Sequence, residues 1–181
     1  GEIVQIFGRH TDSASEEYGN FLRCFLNALI PTLKELGIFE NCYFHIADEP
    51  TEKNLPSYLS AKKHIENILA DCNSIDATSD IQMYKSGAIK EPVVSINHME
   101  PFLADRPEKL WAYYCTGQCV DTPNRFIVMP GYRQRVLGTL LYKYRIDGFL
   151  HWGFNFYNSA LSMKTIDPYQ CTDADAFFPS G

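Results

Sequence analysis

The stretch "NCYFHIADEP", residues 41–50, sets two adjacent carboxylates, Asp48 and Glu49, at the exit of an apolar segment and directly before a proline. Acids in that position either open a turn that Pro50 enforces or carry out chemistry, and the residue types support both readings. The chemistry they suit is hydrolysis of a glycosidic bond. A leaving oxygen needs a proton donor, which a carboxylic acid supplies, and the positive charge growing at the anomeric carbon needs a negative or nucleophilic neighbour. Residues adjacent in the chain have closely spaced backbones, so they suit neighbouring tasks better than opposite faces of a sugar ring. That favours a substrate-assisted reaction, in which the sugar's own 2-acetamido group attacks. One carboxylate then orients the acetamido nitrogen while the other protonates the leaving group.

A second constellation is "HWGFNFYN", residues 151–158. An indole such as Trp152 can lie against the apolar face of a sugar, while the tips of Asn155, Tyr157 and Asn158 bond to hydroxyls. The competing reading is a core strand that is aromatic because it is buried. Further polar groups follow other apolar segments: Asn97 and His98 after "PVVSI", and Tyr114 and Thr116 in "LWAYYCT". His45 lies inside its strand, where packing or a supporting hydrogen bond is the expected role. Arg133 and Arg135 are expected to be surface groups or ion-pair partners at a helix start. No histidine or cysteine spacing matches a metal motif, and no G-x-S-x-G elbow is present, so neither a metal, an organic cofactor nor a nucleophilic serine is expected.

These groups need elements to hold them. "EIVQIF" (2–7) reads as a first strand. A helix capped by Ser13 or Ser15 should carry Tyr18, Phe21, Leu22, Phe25, Leu26, Leu29, Leu33 and Leu36 on one face and stop at Gly37, with Pro31 kinking or dividing it. A strand over 42–47 follows, then a helix over 56–70 with Tyr58, Ile65, Ile68 and Leu69 inward. Segments 74–79, 92–97 and 110–115 read as strands joined by irregular connections. A helix over about 130–145 leads to a last strand, 148–156. Strands alternating with helices imply parallel β/α architecture. A doubly wound sheet would want a glycine-rich phosphate turn after the first strand, and "FGRHTDSAS" does not provide one. Polar residues at successive strand ends are what a (β/α)8 barrel places at its mouth. A full barrel takes about 250 residues. The expectation is therefore a single domain over 1–181, the C-terminal part of a TIM-type barrel with about six strands, whose open edges call for self-association, aromatic side chains filling the gap, or low stability.

Composition bounds the partners. The 181 residues carry a net charge of -6, which argues against nucleic acid because no basic stripe could neutralise phosphates. No apolar run has the length of a membrane span and no signal peptide is present, although a chain opening on "GEIVQIFG" looks trimmed, and an exported or cell-surface parent stays open. Of the cysteines, only Cys115 and Cys119 lie close together, and scattered thiols on apolar segments are expected to be buried rather than paired. Twelve Phe, 11 Tyr and 2 Trp suit both a packed core and a cleft for flat ligands.

Several longer motifs, "FHIADEP", "WAYYCTGQ", "NRFIVMP", "GTLLYKYRIDGFLHWGFNFYN" and "TDADAFFPSG", occur in order along nearly the whole chain. Together they resemble the domain of unknown function related to glycoside hydrolase family 123. The resemblance implies a (β/α)8 barrel and retaining β-N-acetylgalactosaminidase chemistry through an oxazoline-type intermediate. It also implies that Asp48 orients the acetamido group and Glu49 serves as acid and base. The expected substrate is a 2-acetamido sugar of a glycan, with Asn97, Tyr114, Trp152, Asn155 and Tyr157 contacting it. The alternative is a barrel that binds carbohydrate, or serves as a scaffold, without turnover.

Overall fold

A computed structural model describes residues 7, 11–118, 120–126 and 129–151. The expected first strand, but for Phe7, and everything from Trp152 onward lie outside the described residues, as do Asn155, Tyr157 and Asn158.

Ser15 opens the first helix. Its backbone is extended and its hydroxyl accepts the Tyr18 N–H at 3.3 Å, while Glu16 and Glu17 sit at the positive end of the helix dipole. The helix, α1 (Glu16–Glu35), stops at Gly37, whose φ of +69° a side chain would resist. Contrary to expectation, α1 runs undivided through Pro31. Leu26 and Ile30 on the preceding turns anchor it in a core with Ile65 and Leu69, and Thr32 Oγ1 donates to the Ala28 carbonyl at 3.0 Å. The buried face differs as well. Leu22, Leu26 and Ile30 turn inward, whereas Phe21 and Phe25 stay exposed and stack on each other with ring centroids 6.1 Å apart.

The other elements are β1 (Tyr43–Phe44), α2 (Leu55–Lys63), β2 (Asn73–Ser74), β3 (Asp76–Ala77), α3 (Ile81–Lys85), β4 (Pro92–Ser95), α4 (Met99–Ala104), β5 (Trp111–Tyr113), α5 (Gly131–Lys143) and β6 (Gly148–Leu150). The strands are shorter than their apolar runs, and α2 ends before Ile65 and Leu69, which reach the core from turns instead. β1 pairs with β2, and β3, β4, β5 and β6 form a second sheet in that order, every pair parallel. Segment 73–77 joins the two sheets, because Ile75 N–H still donates to the Phe44 carbonyl at 3.0 Å before Asp76 pairs with Pro92. The fold is thus α/β with parallel strands in sequential order. The reversal that marks a doubly wound sheet does not occur among the described strands.

Alternation along the strands sorts side chains between two faces. Ile75, Ala77, Val93 and Tyr113 pack together on one face with Trp111, Cys115 and Leu150, so that layer consists of side chains from strands and strand exits. Val94 and Leu110 pack on the other against Phe102, Leu103, Ile81, Tyr84 and Ile146 of the helices and connections. At the strand entrances, Leu110 and Asp147 exchange two bonds: Asp147 N–H donates to the Leu110 carbonyl and the Asp147 side-chain Oδ2 accepts the Leu110 N–H, each at 2.9 Å. Gly148 then passes under the Trp111 ring so closely that an added Cβ would overlap the indole. Gly148→Ala should therefore cost about 1–3 kcal/mol through displacement of Trp111. Urea unfolding followed by tryptophan fluorescence measures it, and an unchanged midpoint would show that the ring moves freely.

Candidate active site

The chain leaves β1 at His45 and reaches Asp48 and Glu49, both exposed, before turning at the buried Pro50. Glu49 has φ +46°, the left-handed region that a side-chain-bearing residue seldom occupies, and a following proline restricts it further. Such a conformation costs of order 1–3 kcal/mol and persists only where its surroundings over-determine it.

Those surroundings come from β3 and the residues that follow it. Asp76 is 2% exposed. Its Oδ1 accepts the Ile46 N–H at 2.7 Å and the Ala47 N–H at 3.0 Å, and its Oδ2 accepts the Tyr58 hydroxyl at 2.7 Å. His45 Nδ1 lies 3.0 Å from the same Oδ1 and 3.1 Å from the Ile75 carbonyl. Two residues on, the fully buried Thr78 donates its hydroxyl to the Pro50 carbonyl at 2.9 Å. Two further on, Asp80 Oδ2 accepts the Glu52 N–H at 2.8 Å, and its Oδ1 caps α3 through the Gln82 N–H at 2.9 Å. Asp76, Thr78 and Asp80 thus grip the chain on both sides of the acid pair. The bond to Asp76 is the main cause that raises the His45 pKa, against the opposing effect of burial, and the Asp48 charge adds to it.

At the end of β5, the Tyr113 hydroxyl donates to Glu49 Oε1. Burial above all, and then Glu49 itself, push the Tyr113 phenol well above its ordinary pKa, so it remains a neutral donor. Tyr113 and Ser95 are partners in register on neighbouring strands. Ser95 in turn meets Asn97 and Gln118, which places Asn97 in one chain of neighbours with Glu49.

Of the residues singled out from sequence, Asp48 and Glu49 share the strand exit and Asn97 belongs to this polar group. Tyr114 does not. It is 1% exposed and turned away, with its ring edge against Phe149 at 4.9 Å and the Arg125 guanidinium 5.7 Å from its centroid. Its neighbour Tyr113 is the one that meets Glu49. Trp152, Asn155 and Tyr157 lie outside the described residues. His45 makes supporting hydrogen bonds, and Arg133 bonds the Val120 and Thr122 carbonyls rather than an acid. Asp76, Thr78, Tyr113 and Gln118 escaped sequence reading. The polar alternation Asp76, Thr78, Asp80 at a strand exit was the available signal, whereas nothing local marked Gln118. A cavity of about 700 Å³ opens between α1, α2 and β1 with His45 and Asp48 among its lining, but neither Glu49 nor Tyr113 borders it.

Among the described residues no cluster of His, Cys, Asp or Glu could hold a metal ion, and no helix is long and apolar enough to cross a membrane. No curated protein gives a significant match to the chain. The family model of the glycoside hydrolase 123 catalytic domain matches residues 2–181. A match over that span identifies the chain as a member of the glycoside hydrolase 123 catalytic-domain family, whose substrates are carbohydrates.

Proposed function

We propose that this protein is a retaining β-N-acetylhexosaminidase that acts by substrate assistance, with N-acetylgalactosamine the preferred sugar. The observation that carries this reading is the strained, doubly gripped Asp48–Glu49 exit with Tyr113 on Glu49. The 2-acetamido oxygen attacks the anomeric carbon as the bond to the leaving oxygen breaks, and Glu49 gives that oxygen its proton. Asp48 accepts the acetamido N–H and balances charge on the oxazolinium ring. Glu49, now a carboxylate, takes a proton from water, whose oxygen bonds to the anomeric carbon and reopens the ring with net retention. Asn97, Trp152, Asn155 and Tyr157 are proposed sugar contacts, and Tyr113 takes the role first assigned to Tyr114. The wider architecture is proposed to be part of a (β/α)8 barrel. Sequential parallel strands support that, as does a buried face built from strand side chains.

Incubation of the full-length protein with an aryl 2-acetamido-2-deoxy-β-galactoside should release the aglycone, and proton NMR should find the β-anomer formed first. Sugar binding without release, or the α-anomer first, overturns the proposal. Tyr113→Phe removes the donor that fixes the Glu49 side chain. A hydrogen bond to a charged group contributes about 1.5–3 kcal/mol, so kcat should fall at least about tenfold while KM stays within about twofold. Initial rates on the same glycoside check this, and a change in KM alone would assign Tyr113 to sugar binding instead.

A further inference from the structure

The loop after β5 is tied down by Asn124, itself 2% exposed. Asn124 Nδ2 donates to the Cys115 carbonyl at 2.7 Å and the Gln118 carbonyl at 2.8 Å, and its Oδ1 accepts the Arg125 N–H at 2.7 Å. Within that loop the Cys115 N–H meets Gln118 Oε1 at 2.7 Å. A backbone N–H can only donate, so this contact decides which end of the Gln118 amide is oxygen. Its Nε2 therefore faces the exit of β4, where it donates to Ser95 Oγ at 2.7 Å and to Asn97 Oδ1 at 3.1 Å. Ser95, 2% exposed, passes its own proton to the same Oδ1 at 2.5 Å, and His98 Nδ1 lies 3.1 Å from it. Donors thus surround Asn97 Oδ1. The amide has a single orientation, with Nδ2 turned outward on an exposed residue, and no acceptor meets it among the described residues.

We propose that Gln118 is a positioning residue: it locks the Asn97 amide so that its two N–H donors face an oxygen acceptor of a bound 2-acetamido sugar. The inference rests on the carbohydrate reading proposed above and adds how the site selects its ligand. An amide locked this way offers donors only, so it takes a hydroxyl or acetamido oxygen and rejects a group that must donate. The position suits a sugar already engaged by Glu49. Ser95 is in register with Tyr113, neighbouring strands lie about 4.8 Å apart, and Tyr113 bonds Glu49.

The test uses side-chain amide NMR on the full chain with N-acetylgalactosamine and galactose as probes. Saturating N-acetylgalactosamine should shift the Asn97 Nδ2 protons, and a shift with galactose as well would identify a hydroxyl rather than the acetamido oxygen as the acceptor. Gln118→Glu can still accept from Cys115 N–H and Ser95 but sets an oxygen against Asn97 Oδ1. The Asn97 amide should turn over, and affinity should fall about tenfold, as for a lost neutral hydrogen bond. Asn97→Asp keeps an acceptor toward Gln118 but sets a carboxylate oxygen where the outward donors stood, so it should lose at least the same factor while the loop keeps its bonds. Combined with Asn97→Ala, Gln118→Glu should add no further loss, because it acts through that amide. Additive losses, or a silent Asn97 at saturating sugar, overturn the inference. The hydrolytic reading is scored separately: turnover with a silent Asn97 removes this proposal alone, whereas a shift at Asn97 without turnover removes the hydrolytic one alone.

Discussion

Glu49→Gln should lower kcat/KM by about 10²–10⁴ on a 2-acetamido glycoside with a poor leaving group, and by much less on an activated aryl glycoside. The difference arises because an activated phenol departs with little protonation, so removing the proton donor costs it little. Asp48→Asn should slow both substrates alike, since an amide neither holds the acetamido N–H as a carboxylate does nor offsets the positive oxazolinium ring. The proposed division of labour is therefore readable from kcat/KM for the two variants on two aglycones of different acidity. Equal losses for Glu49→Gln on both aglycones would remove Glu49 as general acid. A leaving-group dependence in Asp48→Asn would exchange the two roles.

The second large effect belongs to Asp76. Asp76→Ala leaves the half-buried Ile46 and Ala47 N–H groups and the buried Tyr58 hydroxyl without their acceptor. Each unsatisfied group costs about 1–3 kcal/mol, so a loss of roughly 3 kcal/mol or more is expected. For a chain of this length that lowers Tm by roughly 6–12 °C. The acid pair would also lose the grip that holds Glu49 at positive φ, so activity should fall even well below the new Tm.

Asp76→Asn keeps the shape, removes the charge and replaces one of the two acceptor oxygens with an N–H donor, so the pH dependence of the loss, not its size, reports the contribution of His45. The folded pKa of His45 is raised chiefly by Asp76. The stabilisation from that pairing is accordingly complete below the unfolded value, about 6.5, and is lost as pH rises through the folded value. The stability gap between wild type and Asp76→Asn should narrow across that window. Denaturant unfolding at several pH values measures it, and a gap independent of pH would show that His45 does not respond to Asp76.

Local patterns carried some features completely. A serine cap before the first helix, the Gly37 stop and the placing of Asp48–Glu49 at a strand exit follow from neighbouring residue types, because capping, left-handed glycine and strand termination are settled within a few residues, and the structure chose Ser15 over Ser13. Parallel β/α architecture was equally legible from alternating segments. Choices between near-equivalent neighbours were not. Tyr113 and Tyr114 are identical in type, and strand alternation sends one to each face. Only the pairing of Tyr113 with Ser95 and Leu150 settles which one meets Glu49. On α1, the stripes through Phe21 and through Leu22 are both apolar, and packing against Ile65 and Leu69 selects the second. The partners that hold the site are remote in the chain. Asp76 reaches back 30 residues to Ile46 and 18 to Tyr58, and Gln118 reaches 21 to Asn97. The sequence by itself determined which carboxylates stand at a strand exit. Tertiary structure decided what grips them, because a hydrogen bond between distant segments leaves no periodicity in either one.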